Sequence, residues 1–339
     1  MTPINLDKYS RQLQIAGFHS FEKEQIKDVF EGDIWNRNIL IAESNFQKIQ
    51  NQVKTSKPIT LFLGYSPGRP HLGYLVMSKF VNSIRQYNKT KVILGINLKE
   101  SMKTHKKSLE ETITANKLVE KTLLGKDDKN VNRVYDLCYL NDLKTQKDYE
   151  EIYGLVSDEL NFAKFNKLFG WDEHKSLSQY ENICNAISGL LYSSIFEEDS
   201  IALTFIDLTH LPFAKLTKTI SKKLGLQNYS YLISNPLPSL LNENERMKST
   251  DEKASVFLFN EGDELKKYLN VRSGGKISED QKKYGGNSNS CLALKIASQI
   301  IPSSETTKIV DECTQGMQTS CRYCKESMAK YINQEMNNL

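Results

Sequence analysis

Ile59-Thr60-Leu61-Phe62-Leu63-Gly64-Tyr65-Ser66-Pro67-Gly68-Arg69-Pro70-His71-Leu72-Gly73-Tyr74 sets the architecture of this chain. Its first six residues are a nearly unbroken apolar run that stops at a glycine and proline loop, the pattern of a buried parallel strand. Beyond the loop, Leu75, Met77, Phe80, Val81 and Ile84 recur at helical spacing from Leu72 to Gln86. Lys91 to Ile96 then reads as a second strand. Strand, helix and strand in so short a stretch form a βαβ unit with a right-handed crossover. The pattern continues with a helix over 108–124 and a third strand near Val134-Tyr135-Asp136-Leu137. Residues 147–198 read as mostly helical, Ile201 to Ile206 as a strand ending at Asp207, Pro212 to Leu224 as a helix and Tyr229 to Ile233 as a strand. The expected fold class is α/β: a Rossmann-type parallel sheet covered on both faces, with a helical C-terminal domain. The expected division is a helical N-terminal extension at 1–57, with Ser44 capping its last helix, a catalytic domain at 58–260 and helices over 261–339.

The 339 residues are 39% hydrophobic and 25% charged, enough for one or two domains. A formal charge of +4 permits a nucleic-acid partner without requiring one. Of six cysteines only Cys321 and Cys324 are closely spaced. That excludes a disulfide scaffold and points to a reducing cytoplasm. Met1 to Arg11 is too polar for a signal peptide, and no apolar run is long enough to cross a bilayer, so a soluble protein with no membrane partner is expected.

The loop after the first strand brings chemistry as well as a turn. Gly64 and Ser66 let backbone and hydroxyl approach a ligand closely. The helix beginning at His71 would aim free N–H groups and its dipole at an anion. His71 can donate to phosphate, and Gly73 leaves room for a flat purine. Far along the chain, Arg246-Met247-Lys248-Ser249-Thr250 offers two cations and two hydroxyls before the apolar run Ser255 to Phe259. Each segment alone also reads as an ordinary turn or a solvated basic loop. Together they describe a nucleotide held at a helix N-terminus and clamped by cations, which suits ATP cleavage to activate a carboxylate.

These segments resemble the class I aminoacyl-tRNA synthetases, most of all the tryptophanyl enzymes of eukaryotic and archaeal type. His71-Leu72-Gly73-Tyr74 sits where that family has its HIGH motif, and Arg246 to Thr250 sits where it has KMSKS. Asp251 to Leu258 continues in register. Asp7-Lys8-Tyr9, Asn38 to Val53, Phe169-Gly170, Ile206-Asp207, Ser273-Gly274-Gly275 and Tyr284-Gly285-Gly286-Asn287 match further anchors, so the likeness covers nearly the whole chain. It implies ATP and Mg2+ as cofactors. It also implies an acyl-adenylate intermediate, an amino acid or related carboxylate as substrate, the tRNA 3′ end as the inherited acceptor, and a homodimer. By the same resemblance His71, Arg246 and Lys248 are catalytic. Gly64, Ser66, His71, Gly73, Asp207, Arg246, Met247, Lys248 and Ser249 would hold ATP, Asp207 at the ribose.

The departures from the family pattern fall in both motifs. Tyr74 replaces the final histidine, while Arg246 and Lys248 replace lysine and serine. Leu208 follows Asp207 where the family has glutamine. In the acyl-substrate pocket Phe62 stands for a tyrosine and Leu94 for a glutamine. Glu100 serves as the acidic group if the register slips by one, and Asn185 lies near another expected glutamine. Loss of polar partners changes which substrate such a pocket satisfies. Two alternatives stand beside the synthetase reading: a tRNA-independent ligase with a small-molecule amine or hydroxyl acceptor, and a non-catalytic relative that binds RNA or protein. No protein-bound metal is expected. Cys313, Cys321 and Cys324 cluster near the C-terminus, but zinc needs four ligands and the sequence places no fourth nearby. They read as reduced cysteines on a helical segment. His105, His174 and His210 read as surface or packing residues, with His210 set apart because it follows Asp207.

Overall fold

A computed structural model describes residues 12–23, 26, 29–37, 39–125, 130–137, 140–171, 177–259, 264–274, 278–316 and 321–339. Asp7, Lys8, Tyr9, Asn38, His174 and Gly275, singled out above, lie outside the described residues. At the centre is a seven-stranded sheet. Its strands are β1 (His19–Ser20), β2 (Leu40–Ser44), β3 (Ile59–Tyr65), β4 (Thr90–Ile96), β5 (Val131–Tyr135), β6 (Ile201–Asp207) and β7 (Tyr229–Ser234), in the order β1-β2-β7-β6-β3-β4-β5. From β7 to β5 all pairings are parallel, as expected of a Rossmann-type sheet. The stretch 1–57 is not purely helical: β2 pairs antiparallel with β7 through an irregular register, and β1 pairs antiparallel with β2. Ser44 is the last residue of β2 rather than a helix cap. Helix α1 (Phe46–Lys54) begins after Asn45 in the left-handed region, and the Glu43 carboxylate accepts the Phe46 N–H at 2.8 Å.

Helices cover both faces. They are α2 (Leu72–Arg85), α3 (Leu98–His105), α4 (Leu109–Leu124), α5 (Leu143–Glu159), α6 (Phe162–Phe169), α7 (Leu177–Ser193) and α8 (Leu211–Leu224). The C-terminal part adds α9 (Leu265–Leu269), α10 (Ser278–Tyr284), α11 (Leu292–Ala297), α12 (Ser303–Thr314) and α13 (Cys321–Asn337). Strand alternation divides the core. Leu61, Leu63 and Leu94 join α2 and the C-terminal helices on one face, and Phe62 and Ile93 join α7 and α8 on the other. The N-terminal stretch is locked down by polar contacts as well as burial. Trp35 stacks on Phe30 and donates to Ser83 Oγ of α2 at 2.6 Å, and Arg37 donates to the Gln299 and Ile300 carbonyls.

Strand β3 is followed on one side by β4 and on the other by β6, so chain order reverses at the carboxyl ends of β3 and β6. In open α/β sheets this crevice is where ligands bind. His71 lies beyond the end of β3, and Asp207 ends β6.

Candidate active site

A cleft of about 780 Å³ opens at this switch point. Phe62, Gly64, Ser66, His71, Gly73, Glu100, Asn185, Asp207, Arg246, Met247, Lys248 and Ser249 all line it. Leu94 does not: it is fully buried on the opposite face of the sheet, in register with Leu63. The strand period of two explains the correction, because a one-residue slip reverses a side chain's face. Gly95 is the residue that lines the cleft, and the same slip brings Glu100 to it.

His71 is the N-cap of α2. Its backbone is extended, and its Nδ1 accepts the Gly73 N–H at 3.0 Å. That bond leaves the ring proton on Nε2, free to donate. A Cβ on Gly73 would stand 2.7 Å from His71 Cε1, so the glycine makes room for the histidine ring. The N–H groups expected to face an anion are already engaged. Leu72 donates to the Val256 carbonyl at 3.1 Å, Gly73 to His71, and Tyr74 to the His71 carbonyl at 2.8 Å. Anion recognition therefore falls to the helix dipole and to side chains.

The Leu72 bond is part of a junction between the two distant motifs. His71 and Phe257 form an antiparallel bridge, and the Leu258 N–H donates to Pro70 O at 2.8 Å. The Arg69 guanidinium sits 4.0 Å over the Phe257 ring and pairs with Glu252. A Cβ on Gly68 would meet Ser249 Oγ at 2.8 Å. The basic loop is closed at its neck, where Ser255 Oγ donates to the Lys248 carbonyl at 2.7 Å and accepts the Lys248 N–H at 3.1 Å. Met247 is buried, its N–H bonded to Leu237 O at 2.9 Å, while the Lys248 side chain is exposed.

Asp207 joins the loop to the sheet. Its Oδ1 accepts from the Thr209 N–H at 2.8 Å and from His210 Nδ1 at 2.9 Å, and its Oδ2 accepts from Arg246 Nη1 at 2.7 Å. Burial opposes ionisation of Asp207. The hydrogen bond from His210, the charges of His210 and Arg246, and Thr209 outweigh it and hold the carboxyl below its ordinary range. Leu208 is buried in the core, which accounts for an apolar residue there. His210, exposed, and His105, half-buried, both lie on the wall of the cleft.

The floor of the cleft is aromatic. The Phe62 ring fills a notch formed by three glycines: a Cβ would meet it at 2.7 Å from Gly95, 2.8 Å from Gly189 and 3.3 Å from Gly64. Glu100 accepts from Ser66 Oγ, which ties α3 to the glycine loop. Tyr149 OH donates to Asn185 Oδ1 at 3.1 Å. Tyr149, Trp171, Gln179, Asn182 and Thr204 also line the cleft. Sequence reading missed them because they lie in long helical stretches or inside a strand, with no local signature.

Burial, and then the charge of Arg246, push the His71 imidazole down to about 3. The unfolded chain binds that proton near pH 6.5 while the folded site refuses it, so stability falls as pH drops from 6.5 toward 3. Denaturant melts should show the native protein losing about 2 kcal/mol more than His71→Asn between pH 6.5 and 5. Equal losses would show that His71 is not held neutral.

No family model matches the chain. It is 21% identical over 314 residues to the tryptophan–tRNA ligase of Methanocaldococcus jannaschii, across 87% of this chain and 81% of that enzyme. Its fold matches the tryptophanyl-tRNA synthetase of Aeropyrum pernix with a TM-score of 0.84 at 16% identity, covering 100% of this chain and 95% of that one. It also matches a tryptophanyl-tRNA synthetase from Encephalitozoon cuniculi, solved bound to tryptophan, with a TM-score of 0.79 at 18% identity, covering 99% and 94%. At these identities the structural matches speak for the fold alone. The sequence match and the order of the motifs carry the likeness beyond the fold. In sequence and in fold the chain is similar to the class I aminoacyl-tRNA synthetases of tryptophanyl type.

Proposed function

We propose that the protein is an ATP-dependent ligase that activates an amino acid or related carboxylate as its acyl-adenylate and passes the acyl group to an acceptor. The observation that supports this most is the hydrogen-bonded junction of His71 with Val256 to Leu258, which brings Arg246 and Lys248 to the crevice at the carboxyl ends of β3 and β6. A substrate carboxylate oxygen attacks the α-phosphorus of ATP, and the bond to the β-phosphate oxygen breaks, releasing pyrophosphate. His71 Nε2–H, neutral at pH 7, donates to a phosphate oxygen. Lys248 and Arg246 offset the charge growing on the departing pyrophosphate. Asp207 meets the ribose once Arg246 turns from it to the phosphates. Mg2+ usually keeps several waters and binds through substrate phosphates. In this proposal Mg2+ would enter the cleft on the triphosphate. Glu100 faces the ammonium group of an amino acid, and Phe62 with Asn185 bounds its side chain. Tryptophan is the first substrate to try, since the Encephalitozoon cuniculi relative was solved with it.

The acceptor in this proposal is the tRNA 3′ end, and the working form a cytoplasmic homodimer. Exchange of labelled pyrophosphate into ATP, with and without total tRNA and across a panel of amino acids and carboxylates, tests the reading. Exchange dependent on one acid supports activation, and acylated tRNA supports the inherited acceptor. Exchange without acylated tRNA points to a small-molecule amine or hydroxyl. No exchange with any acid, tRNA present, leaves a non-catalytic RNA- or protein-binding relative.

A further inference from the structure

The sequence shows three cysteines near the C-terminus and no fourth. The structure supplies the fourth. Cys291, at the N-cap of α11, comes together with Cys313 near the end of α12 and with Cys321 and Cys324 on the first turn of α13. All four line one small cavity of about 20 Å³, roughly one water's worth of space. None is in a disulfide, and all are half-buried. Among the described residues, no residue of this cavity also lines the active-site cleft.

The surroundings are shaped around these thiols. Ser273, Gly274 and Asn287, from two glycine segments left without a role by the catalytic reading, line the cavity. A Cβ on Gly286 would stand 2.7 Å from Cys313 Sγ, and one on Gly274 would stand 1.8 Å from the Asn287 carbonyl oxygen. The Gly286 N–H donates to Cys313 O at 2.8 Å, and the Asn287 N–H to Gly274 O at 3.1 Å. Lys325, also on the wall, is pinned by the Leu269 and Val271 carbonyls at 2.7 and 2.9 Å.

We propose that Cys291, Cys313, Cys321 and Cys324 form a four-thiolate centre for a soft metal, held as a single zinc ion or as an iron–sulfur cluster. Four sulfur donors select these two occupants over harder cations. Cys321 and Cys324 are one helical turn apart and present both sulfurs on one face. The other two ligands arrive from separate elements, so the centre fastens α11, α12 and α13 together. On binding, each thiol releases its proton to solvent and each sulfur donates an electron pair to the metal. Among the described residues no three such groups already stand close enough together to hold an ion. The thiols ring the void instead, and the metal would close them by side-chain rotation.

The test is metal and sulfide analysis of the full chain purified without oxygen, alongside a native thiol titration. About one zinc per chain with no visible colour supports the zinc form. Iron matched by acid-labile sulfide, with visible absorption, supports the cluster. Either occupant should fall at least tenfold in Cys291→Ser and in Cys324→Ser and persist in Cys184→Ser, a buried cysteine remote from the cavity. Because a variant can fail to fold, metal-stripped native protein is also given Zn2+, or Fe2+ with sulfide, and its melting temperature followed. Uptake with a higher melting temperature supports the centre. No uptake in fresh or reconstituted protein, a disulfide among these four residues, or equal metal in the serine variants overturns it. None of these readouts depends on carboxylate activation.

Discussion

Gly73→Ala is expected to leave a folded protein whose pyrophosphate exchange falls by about 10²-fold or more. The added methyl would sit 3.0 Å from His71 Nδ1 and 2.7 Å from Cε1, the latter closer than real Cβ contacts allow. The imidazole must swing away, breaking its bond to the residue-73 N–H. Losing an N-cap costs about 1 kcal/mol, small against the stability of a protein this size. The effect on chemistry is larger, because Nε2–H then no longer points into the cleft, and a displacement of about 1 Å at a reacting centre costs about 10²-fold. The contrast between a small drop in melting temperature and a large drop in exchange is the diagnostic. Unchanged exchange would show that His71 has no part in activation.

The second large effect separates the two cations of the basic loop. Lys248→Ala should reduce the exchange rate by about 10²- to 10³-fold at saturating ATP, the usual result of removing one donor aimed at transition-state charge. Stability should stay unchanged, because among the described residues the exposed Lys248 ammonium makes no ion pair. Arg246→Ala removes a comparable charge but also strips Asp207 Oδ2 of its partner. This variant should therefore lose stability as well as rate. Since the Arg246 charge helps to depress the Asp207 carboxyl, that carboxyl should titrate higher in the variant. In the native protein the stabilisation from ionised Asp207 is complete above about pH 3.9, the unfolded value, and fades as pH falls toward the lower folded value. In the variant less of it remains to fade. Identical rates and melting temperatures for both variants would separate this loop from the triphosphate.

The β3–α2–β4 unit was legible because each element is buried in a way that leaves a sequence pattern. Strand β3 is covered on both faces and reads as a nearly unbroken apolar run, while α2 repeats its apolar residues at helical spacing. Strand β2 left no such trace: Ala42-Glu43-Ser44 is short and partly polar, and its partner β7 lies far along the chain. Leu94 misled for a different reason, since a residue's side of a strand depends on a register the sequence did not settle to one position. That the Leu72 N–H of α2 is already engaged was also invisible, because its acceptor is Val256, nearly two hundred residues away. The same distance effect hid Cys291 from Cys313, Cys321 and Cys324. Motif chemistry singled out Ser66, His71, Asp207, Arg246, Lys248 and Ser249, which the fold gathers at one cleft. The long helices α5 and α7 contributed Tyr149, Gln179 and Asn182 through their packing alone.

Ser255 grips both backbone groups of Lys248, so the six intervening residues make a ring drawn shut like a purse. The conformational entropy of shaping that ring is spent during folding, before any nucleotide arrives. An incoming triphosphate would meet a preorganised collar, and more of its intrinsic affinity would remain for straining ATP toward reaction.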